Sequence, residues 1–319
     1  MKSIPFYFPF FYKFIVKDTK KWIYKNTDYK EKYMWLYLCL ISAIFSGFTS
    51  VAMKKCSKDN NSISLALIGM IISDIVYVIL GVFMTDVISS FSIINLIKIA
   101  PLTMIQALGY ICGILAVKYA SVSTVAPIRK GNTVVTLILG ILILKDSLNI
   151  LQLIFSIILI ILTILLAKGE NNKIDKSKTK GIISAYGFVV FNGIAGFLNK
   201  LYINIFHDPL IVVFYYGLMG IILVLLYCLF TNNLKNLDIS KINFKGYFLL
   251  HSLLDLGANL CQRFSLIEGQ VSTVSVITSS SIVITILASR FILKEKITLK
   301  KYIMILGIFI CVLGLALLK

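Results

Sequence analysis

The chain has 319 residues, of which 58% are hydrophobic and only 14% are charged. A soluble protein of this size carries roughly 25% charged residues, so these values exclude a large soluble domain and indicate an integral membrane protein. The net charge of +18 comes from basic residues that lie between apolar runs, a distribution that favours contact with anionic lipid and argues against a nucleic-acid partner.

Residues 1–34 stand apart from the apolar remainder, with eight lysines and the aromatic cluster FYFPFFY. The apolar stretch in this segment is too short to span a membrane and lacks the small-residue cleavage site of a signal peptide. Three interpretations stay open: an interfacial anchor, a tail without fixed structure, or a protein that starts at Met34. In each case we expect this basic and aromatic tail to lie outside the core.

A membrane span requires about 20 predominantly apolar residues. The hydrophilic linker 168–180 divides the apolar segments five and five, which predicts two units at residues 35–167 and 181–319. The ten segments lie at roughly 35–53, 63–83, 96–117, 121–144, 150–167, 181–203, 209–230, 244–265, 271–293 and 300–318.

The two units share sequence. The tetrapeptide VSTV occurs at 122–125 and again at 271–274, and with this shift of 149 positions ten of the 25 residues from 122 to 146 match their counterparts. The shift also places Asp146 on Glu295, so that an acidic residue closes both spans. We interpret the pattern as an internal duplication, in which spans four and nine are equivalent and face each other across a pathway.

Because each unit has an odd number of spans, two units of one fold must enter the membrane from opposite sides. The sequence therefore predicts an all-α integral membrane protein of ten transmembrane helices in two inverted five-helix repeats, the layout of many secondary transporters. The lysine and arginine counts of the two membrane sides conflict, depending on whether the tail is included, so the orientation stays open.

The layout of five plus five spans, the small polar motif that opens spans four and nine, and the acidic residues that close them resemble the EamA-like branch of the drug/metabolite transporter superfamily. The resemblance covers about residues 35–319. It implies a central cavity, alternating access and transport of a small metabolite, often export. Substrates in this superfamily range over amino acids, nucleotide sugars, sugar phosphates and drugs, so the resemblance does not name the cargo.

Span four places two cations near the middle of the membrane. In the sequence SVSTVAPIRKGNTVVTLILGILIL, Arg129 lies about 5 Å from the centre of a regular helix. Helical spacing puts Arg129, Asn132 and Thr136 on one face and turns Lys130 toward a different partner. Pro127 is predicted to open the helix above this site, because it lacks a backbone donor.

Two interpretations of these cations stay open. A charge at the centre of a membrane helix costs roughly 2.5–3.5 kcal/mol, so Arg129 and Lys130 need a cavity, a partner or a ligand. Either they accept a carboxylate or phosphate of the cargo, or they pair with Asp74 or Asp255 or snorkel to the surface.

Span nine has no cation at the equivalent place. Thr278, Ser281 and Thr285 stand where span four carries its polar residues, and we predict that their hydroxyls contact a ligand across the cavity. The alternative is close helix packing through small residues, which is common in membranes.

Span eight carries a polar stripe formed by Asp255, Asn259, Gln262 and Arg263 and continued by His251. Such a stripe must face the interior of the bundle rather than lipid. Asp255 is either a proton-coupling carboxylate or the static partner of the span-four cations. Arg263 lies near the end of the span, where we expect it to snorkel.

Spans one and six carry small residues at matching positions. Gly47 and Gly193 are predicted to allow close approach of neighbouring helices. Asn192 and Asn199 share one face and are candidates for ligand contact. In span two, Asp74 is a second candidate for a coupling group or a counter-ion.

No P-loop, HExxH motif or CxxC pair is present, so we expect no cofactor, no metal site and no ATP hydrolysis. A membrane-embedded enzyme is a remote alternative, since His207 and His251 lie far apart and the loops are short. A scaffold or receptor would need a sizeable soluble part, and only residues 1–34 could provide one. A channel is a third alternative, but the duplicated halves favour alternating access.

We therefore predict a secondary active transporter without catalytic residues, located in the plasma membrane and coupled to protons or to exchange. Its cargo is a small polar, anionic metabolite. The alternative is an exporter of amino acids or of cationic or apolar drugs, in which Arg129 and Lys130 are structural. The partners are the substrate and the lipid bilayer; monomer or homodimer stays open.

Overall fold

The structure is a computed structural model that describes residues 27–85, 87–88, 91–146, 149–168, 176–231, 237–243, 245–294 and 298–317. Within these ranges all regular secondary structure is helical. The predicted tail lies largely outside the described residues, although the first helix already begins at Thr27.

We number the α-helices in chain order. The first repeat holds α1 Thr27–Ser57, α2 Ser62–Met84, α3 Ile93–Tyr119, α4 Val122–Arg129, α5 Asn132–Ile143 and α6 Ile150–Lys168. The second holds α7 Lys176–Phe206, α8 Pro209–Phe230, α9 Lys245–Glu268, α10 Val271–Thr278, α11 Ser281–Leu293 and α12 Leu299–Leu317, with a short 3-10 helix at Ile239–Lys241.

Each predicted span coincides with one helix or, at spans four and nine, with two consecutive helices. Among the described residues six segments are long and apolar enough to cross a membrane, namely α1 from Met34, α2, α3, α7 from Lys178, α8 and the combined α10 and α11. The prediction of an all-α membrane protein is confirmed. The number of ten spanning helices stays a prediction.

The helices pair in a pattern that is unchanged when the two repeats are exchanged. α1 packs on α9 as its counterpart α7 packs on α3, and α11 packs on α1 as α5 packs on α7. α2 packs on its own counterpart α8, and α6 on its counterpart α12. A two-fold relation between similar halves produces this arrangement, which is the relation that the duplicated sequence predicts.

Spans four and nine are both broken at equivalent positions. The turn between α4 and α5 falls at Lys130–Gly131, and the turn between α10 and α11 falls 149 positions later at Ser279–Ser280. At both turns, backbone N–H groups donate to the carbonyl three residues earlier in the chain. Gly131 N–H, for example, donates to Ile128 C=O at 2.9 Å. Short 3-10 stretches inside helices are frequent at functional hinges.

The prediction that Pro127 opens span four above the cation site differs from the structure, in which the helix is continuous through Pro127. The break lies three residues further along, and span nine breaks at the equivalent place although no proline precedes it. The shared turn geometry, rather than the missing donor of a proline, is therefore what interrupts both spans.

Glycines let the broken spans approach the first helix of the other repeat, as predicted. A Cβ atom on Gly47 would lie 2.5 Å from the Cβ of Ile284, and one on Gly193 would lie 2.5 Å from the Cβ of Val135. Ile284 and Val135 are themselves equivalent under the shift of 149. Both contacts are closer than any side chain tolerates, so both positions require glycine.

Two equivalent lysines cap the carbonyl ends of neighbouring helices. Lys54 on α1 donates to Val117 C=O at 2.6 Å and to Ala120 C=O at 2.8 Å at the end of α3. Its counterpart Lys200 on α7 donates to the carbonyls of Leu266 and Gly269 at the end of α9. A cation is favourable at this end of a helix because the free carbonyls concentrate negative partial charge there.

Candidate functional site

A central cavity of about 180 Å³ lies between the two repeats. Helices α1, α3, α4 and α5 of the first repeat line it together with α7, α9, α10 and α11 of the second. Ten of the predicted site residues share this cavity: Arg129, Lys130, Asn132, Thr136, Asn192, Asn199, Asp255, Asn259, Thr278 and Thr285.

Arg129 is held against the cavity wall by an aromatic ring and one hydroxyl. Its guanidinium carbon lies 4.0 Å from the centre of the Phe188 ring, a cation–π contact. Nη1 donates to the hydroxyl of Ser50 at 3.1 Å. Within the described part of the chain, Nε of Arg129 is buried and has no hydrogen-bond acceptor. The guanidinium therefore keeps donor capacity that the protein does not use.

Lys130 lines the same cavity as Arg129, which corrects the prediction that it turns toward a different partner. A regular helix would separate the two side chains by about 100°. The helix ends at Arg129, however, and Lys130 belongs to the 3-10 turn that follows it. The break thus brings both cations to one cavity.

Asp255 is the carboxylate of the cavity, and its partner is an amide rather than a cation. Asn259 donates to Oδ2 of Asp255 at 3.0 Å. Among the described side chains, no ion pair within 4.0 Å joins Asp255 or Asp74 to Arg129 or Lys130. The alternative in which the span-four cations pair with these carboxylates therefore stays a prediction, and it would have to act without direct contact.

His251 bridges two helices at the edge of the cavity. Its Nδ1 lies 3.0 Å from the carbonyl of Thr49, which can only accept, so Nδ1 carries a proton. Its Nε2 lies 2.9 Å from the hydroxyl of Tyr110. In the neutral ring Nε2 then accepts from Tyr110. With an exposed fraction of 5%, His251 ties α1, α3 and α9 together next to Asp255.

The threonine hydroxyls that were predicted to contact a ligand donate hydrogen bonds to backbone carbonyls instead. Thr136 donates to Gly193 C=O at 2.8 Å, and its counterpart Thr285 donates to Gly47 C=O at 3.0 Å. Thr278 donates to Val274 C=O one turn back in its own helix. These hydroxyls line the cavity but chiefly join helices.

Arg263 is the cavity residue whose role the sequence did not indicate. The expectation that it snorkels is wrong, because its exposed fraction is 2%. Its guanidinium carbon lies 4.5 Å from the ring centre of Tyr216 and 5.2 Å from that of Tyr77. Nε donates to Oδ1 of Asn199 at 2.9 Å. Asn199 thereby positions Arg263, a function that the spacing of polar residues alone does not reveal.

Asp74 lies outside the central cavity, in a second cavity of about 310 Å³ that is mostly apolar. Its exposed fraction is 3%, and its carboxylate packs against Gly220, where an added Cβ would lie 2.1 Å from Oδ2. Tyr216 lines this second cavity and separates it from Arg263. Asp74 therefore does not line the central cavity, and its role as a counter-ion or a coupling group stays a prediction.

Ser281 is also absent from the central cavity, which departs from its prediction as a binding residue. It opens α11 directly after the break, and it is fully buried between helices. The equivalent residue of span four, Asn132, reaches the cavity with a longer side chain.

The electrostatics of the cavity are asymmetric. Among the described residues, its lining includes three basic side chains, Arg129, Lys130 and Arg263, and one acidic side chain, Asp255. All three cations come from α4, α9 and the turn after α4, while α10 and α11 contribute only neutral hydroxyls and apolar groups. The described lining thus holds more basic than acidic side chains.

The sequence pattern of the EamA-like transporter family matches residues 33–168 and 179–318. This chain belongs to the EamA-like transporter family. The protein is accordingly a multi-pass membrane transporter of small molecules, and its family is one of transporters rather than enzymes. The two matched stretches agree with the duplication that the VSTV motifs and the exchange of helix contacts indicate.

A solved crystal structure, described only as that of a protein, has a similar fold with a TM-score of 0.62 at 11% sequence identity. The similarity covers 88% of this chain and 95% of that chain, so it extends over both repeats. No curated protein matches the sequence.

Proposed function

We propose that this EamA-like transporter moves a small anionic metabolite through the central cavity by alternating access. The observation that carries the proposal is the pair of cations, Arg129 and Lys130, that line one cavity between the repeats without contact ion pairs among the described side chains. Charge inside a membrane is costly, and an anionic cargo would offset that cost.

Two features support alternating access. The helix contacts exchange under the two-fold relation of the repeats, so an exchange of the two repeat conformations would turn an outward-facing arrangement into an inward-facing one. The hinges at Lys130–Gly131 and Ser279–Ser280 divide spans four and nine beside the cavity. Each half of a broken helix can then move with a different neighbour.

Coupling to protons is a further part of the proposal, and Asp255 is its candidate group. It is the described carboxylate that lines the cavity, and it is half-buried beside His251 and Asn259. An Asp255→Asn variant is expected to lose the response of substrate flux to a pH gradient. Unchanged pH dependence in that variant would leave exchange as the mode of transport.

The competing function is export of cations or apolar drugs, with Asp255 as the binding group. One experiment separates the two. Thermal unfolding of the purified protein is followed with anionic, zwitterionic and cationic metabolites, beside the variants Arg129→Ala and Lys130→Ala. A ligand that binds only the folded state raises the unfolding temperature by mass action.

Under the proposal, anionic compounds stabilise the wild type and at least one alanine variant loses the response. Stabilisation by cations or apolar compounds alone, equal in wild type and variants, would reject the anionic cargo. We further propose the plasma membrane as the site of action, which membrane fractionation of the cells tests.

A further inference from the structure

We propose that Arg263 is a second anion-binding group of the central cavity, whose two terminal nitrogens take a carboxylate or phosphate group of the cargo. This assignment rests on the proposed function and narrows the substrate class to molecules with a group that a guanidinium binds through two parallel hydrogen bonds. It gives a role to a cation that is placed at a different depth from Arg129.

The unpartnered nitrogens of Arg263 carry the argument. Within the described part of the chain, Nη1 and Nη2 are both buried and have no hydrogen-bond acceptor. A buried charged donor without an acceptor is among the most costly features of a protein interior. Arg263 lines the cavity, so an acceptor in the cavity lies beside it and reaches the covered nitrogens once the neighbouring side chains shift.

The remaining contacts fix the orientation of the guanidinium group. Nε is already used by Asn199, which in turn donates to the carbonyl of Ala195 at 2.9 Å. The rings of Tyr77 and Tyr216 lie against the guanidinium. Because Nε is engaged and aromatic rings cover the faces of the guanidinium, only the edge with Nη1 and Nη2 is left to bind an acceptor. This edge matches the oxygen pair of a carboxylate or phosphate.

The nearby carboxylates do not fill this edge. Asp74 and Asp255 both interact electrostatically with Arg263, but neither forms an ion pair with it within 4.0 Å. An ionised carboxylate at either position would repel an anion bound at Arg263, so Asp74→Asn is expected to bind the anion at least as tightly as the wild type.

Arg263 and Arg129 define separate positions along the cavity. Arg129 stacks on Phe188 and Arg263 bonds Asn199, and both of these partners belong to α7. Eleven residues of helix separate the partners, which corresponds to about 16 Å along the axis. The two arginines can therefore be tested independently.

The test measures thermal unfolding of the full-length protein in detergent as a function of added inorganic phosphate and, in a second series, succinate. Sodium chloride at equal ionic strength is the reference. The two series distinguish a phosphate group from a carboxylate group. The variants are Arg263→Gln, Arg263→Lys, Arg129→Gln and Asp74→Asn. Arg290→Gln is the matched control, because Arg290 also lies over a ring, that of Tyr302, but is exposed outside the cavity.

We expect at least one of the two anions to stabilise the wild type and the Arg290→Gln variant to the same extent. Arg263→Gln should weaken the apparent affinity by about tenfold to a hundredfold, as loss of charged hydrogen bonds does. Asp74→Asn should bind at least as tightly as the wild type. Arg263→Lys keeps the charge but removes the two parallel guanidinium donors, so it should bind the anion more weakly than the wild type. This variant keeps the test decisive if Arg263→Gln fails to fold.

Wild-type affinity in both Arg263 variants would overturn the assignment, as would stabilisation by sodium chloride equal to that by both anions. Loss of the response in Arg129→Gln alone would overturn it as well and would leave the proposed anion transport intact. The proposed function itself fails on a different result, namely stabilisation by cations or apolar compounds alone in the wider metabolite screen.

Discussion

Asp146, which follows α5 of the first repeat, caps the VSTV helix of the second repeat through Ser272. Its Oδ2 accepts the backbone N–H of Ser272 at 3.0 Å and the hydroxyl of the same residue at 2.7 Å. The N-cap residue of α10, Gln270, makes no such side-chain bond. A carboxylate from the other repeat therefore satisfies the helix start that the local sequence leaves open.

This contact explains why VSTV and the acidic residue recur together. An acid that closes span four is useful because it caps the small polar motif that opens span nine. The shift of 149 predicts the reciprocal contact of Glu295 with Ser123, but Glu295 lies outside the described residues. Gly140 makes the observed contact possible, since a Cβ there would lie 2.7 Å from the hydroxyl of Ser272.

The cap should be visible as coupling between the two residues. Asp146→Ala is expected to lower the free energy of unfolding by about 1–2 kcal/mol, and Ser272→Ala by less, since the backbone N–H still reaches the carboxylate. The double variant should lose less free energy of unfolding than the sum of the two single losses. Unfolding in mixed detergent micelles measures this cycle, and strictly additive costs would show that the two residues do not interact.

The close approach at Gly47 and Gly193 predicts equal sensitivity in the two repeats. Alanine at either position forces a Cβ into the branched side chain of Ile284 or Val135, and overpacking of this kind costs typically about 1–3 kcal/mol. Gly246→Ala is the control, because nothing lies within 4 Å of its added Cβ. Thermal unfolding should show a clear loss for the first two variants and none for the third. A neutral Gly193→Ala variant would contradict the packing described above.

The lysine caps predict a matched pair of stability losses. Lys54→Met and Lys200→Met leave the terminal carbonyls of α3 and α9 without their cation, which should cost about 1.5–3 kcal/mol each, as for hydrogen bonds to charged groups. Lys180→Met, an exposed position on α7, serves as the reference. Unfolding temperatures that drop no further than in the reference variant would mean that both lysines are only solvated charges.

The hydroxyls of Thr136 and Thr285 predict a second matched pair. Replacement of either by valine removes a hydrogen bond to a glycine carbonyl of the other repeat and should destabilise the fold by about 1 kcal/mol. The corresponding serine variants keep the hydroxyl and should retain most of the stability. A valine variant as stable as the wild type would show that the bond does not contribute.

The sequence indicated the equivalence of the repeats well. The shift derived from VSTV correctly pairs Thr136 with Thr285, and the separate match of spans one and six pairs Lys54 with Lys200. Such pairs are predictable because duplication copies residue types along the chain. The apolar segments are equally evident, because length and hydropathy alone determine them.

The remaining features depend on contacts between distant segments. The environment of Arg263 is formed by tyrosines of α2 and α8, far away in sequence, so its position near a span end suggested snorkelling instead. The breaks after Arg129 and Thr278 have no shared breaker residue, and the helix is continuous through Pro127. Which hydroxyls face a ligand and which bond a carbonyl likewise depends on packing that no local pattern encodes.

Transport itself provides the most direct test of the central claim. Purified wild type and Arg129→Gln are reconstituted into liposomes that are preloaded with the compound that best stabilises the wild type, and uptake of the labelled compound by counterflow is measured. Arg290→Gln is reconstituted in parallel as the control. The account predicts counterflow of an anionic compound in the wild type and the control and its loss in Arg129→Gln. Counterflow of a cationic or neutral compound alone, undiminished in Arg129→Gln, would contradict it.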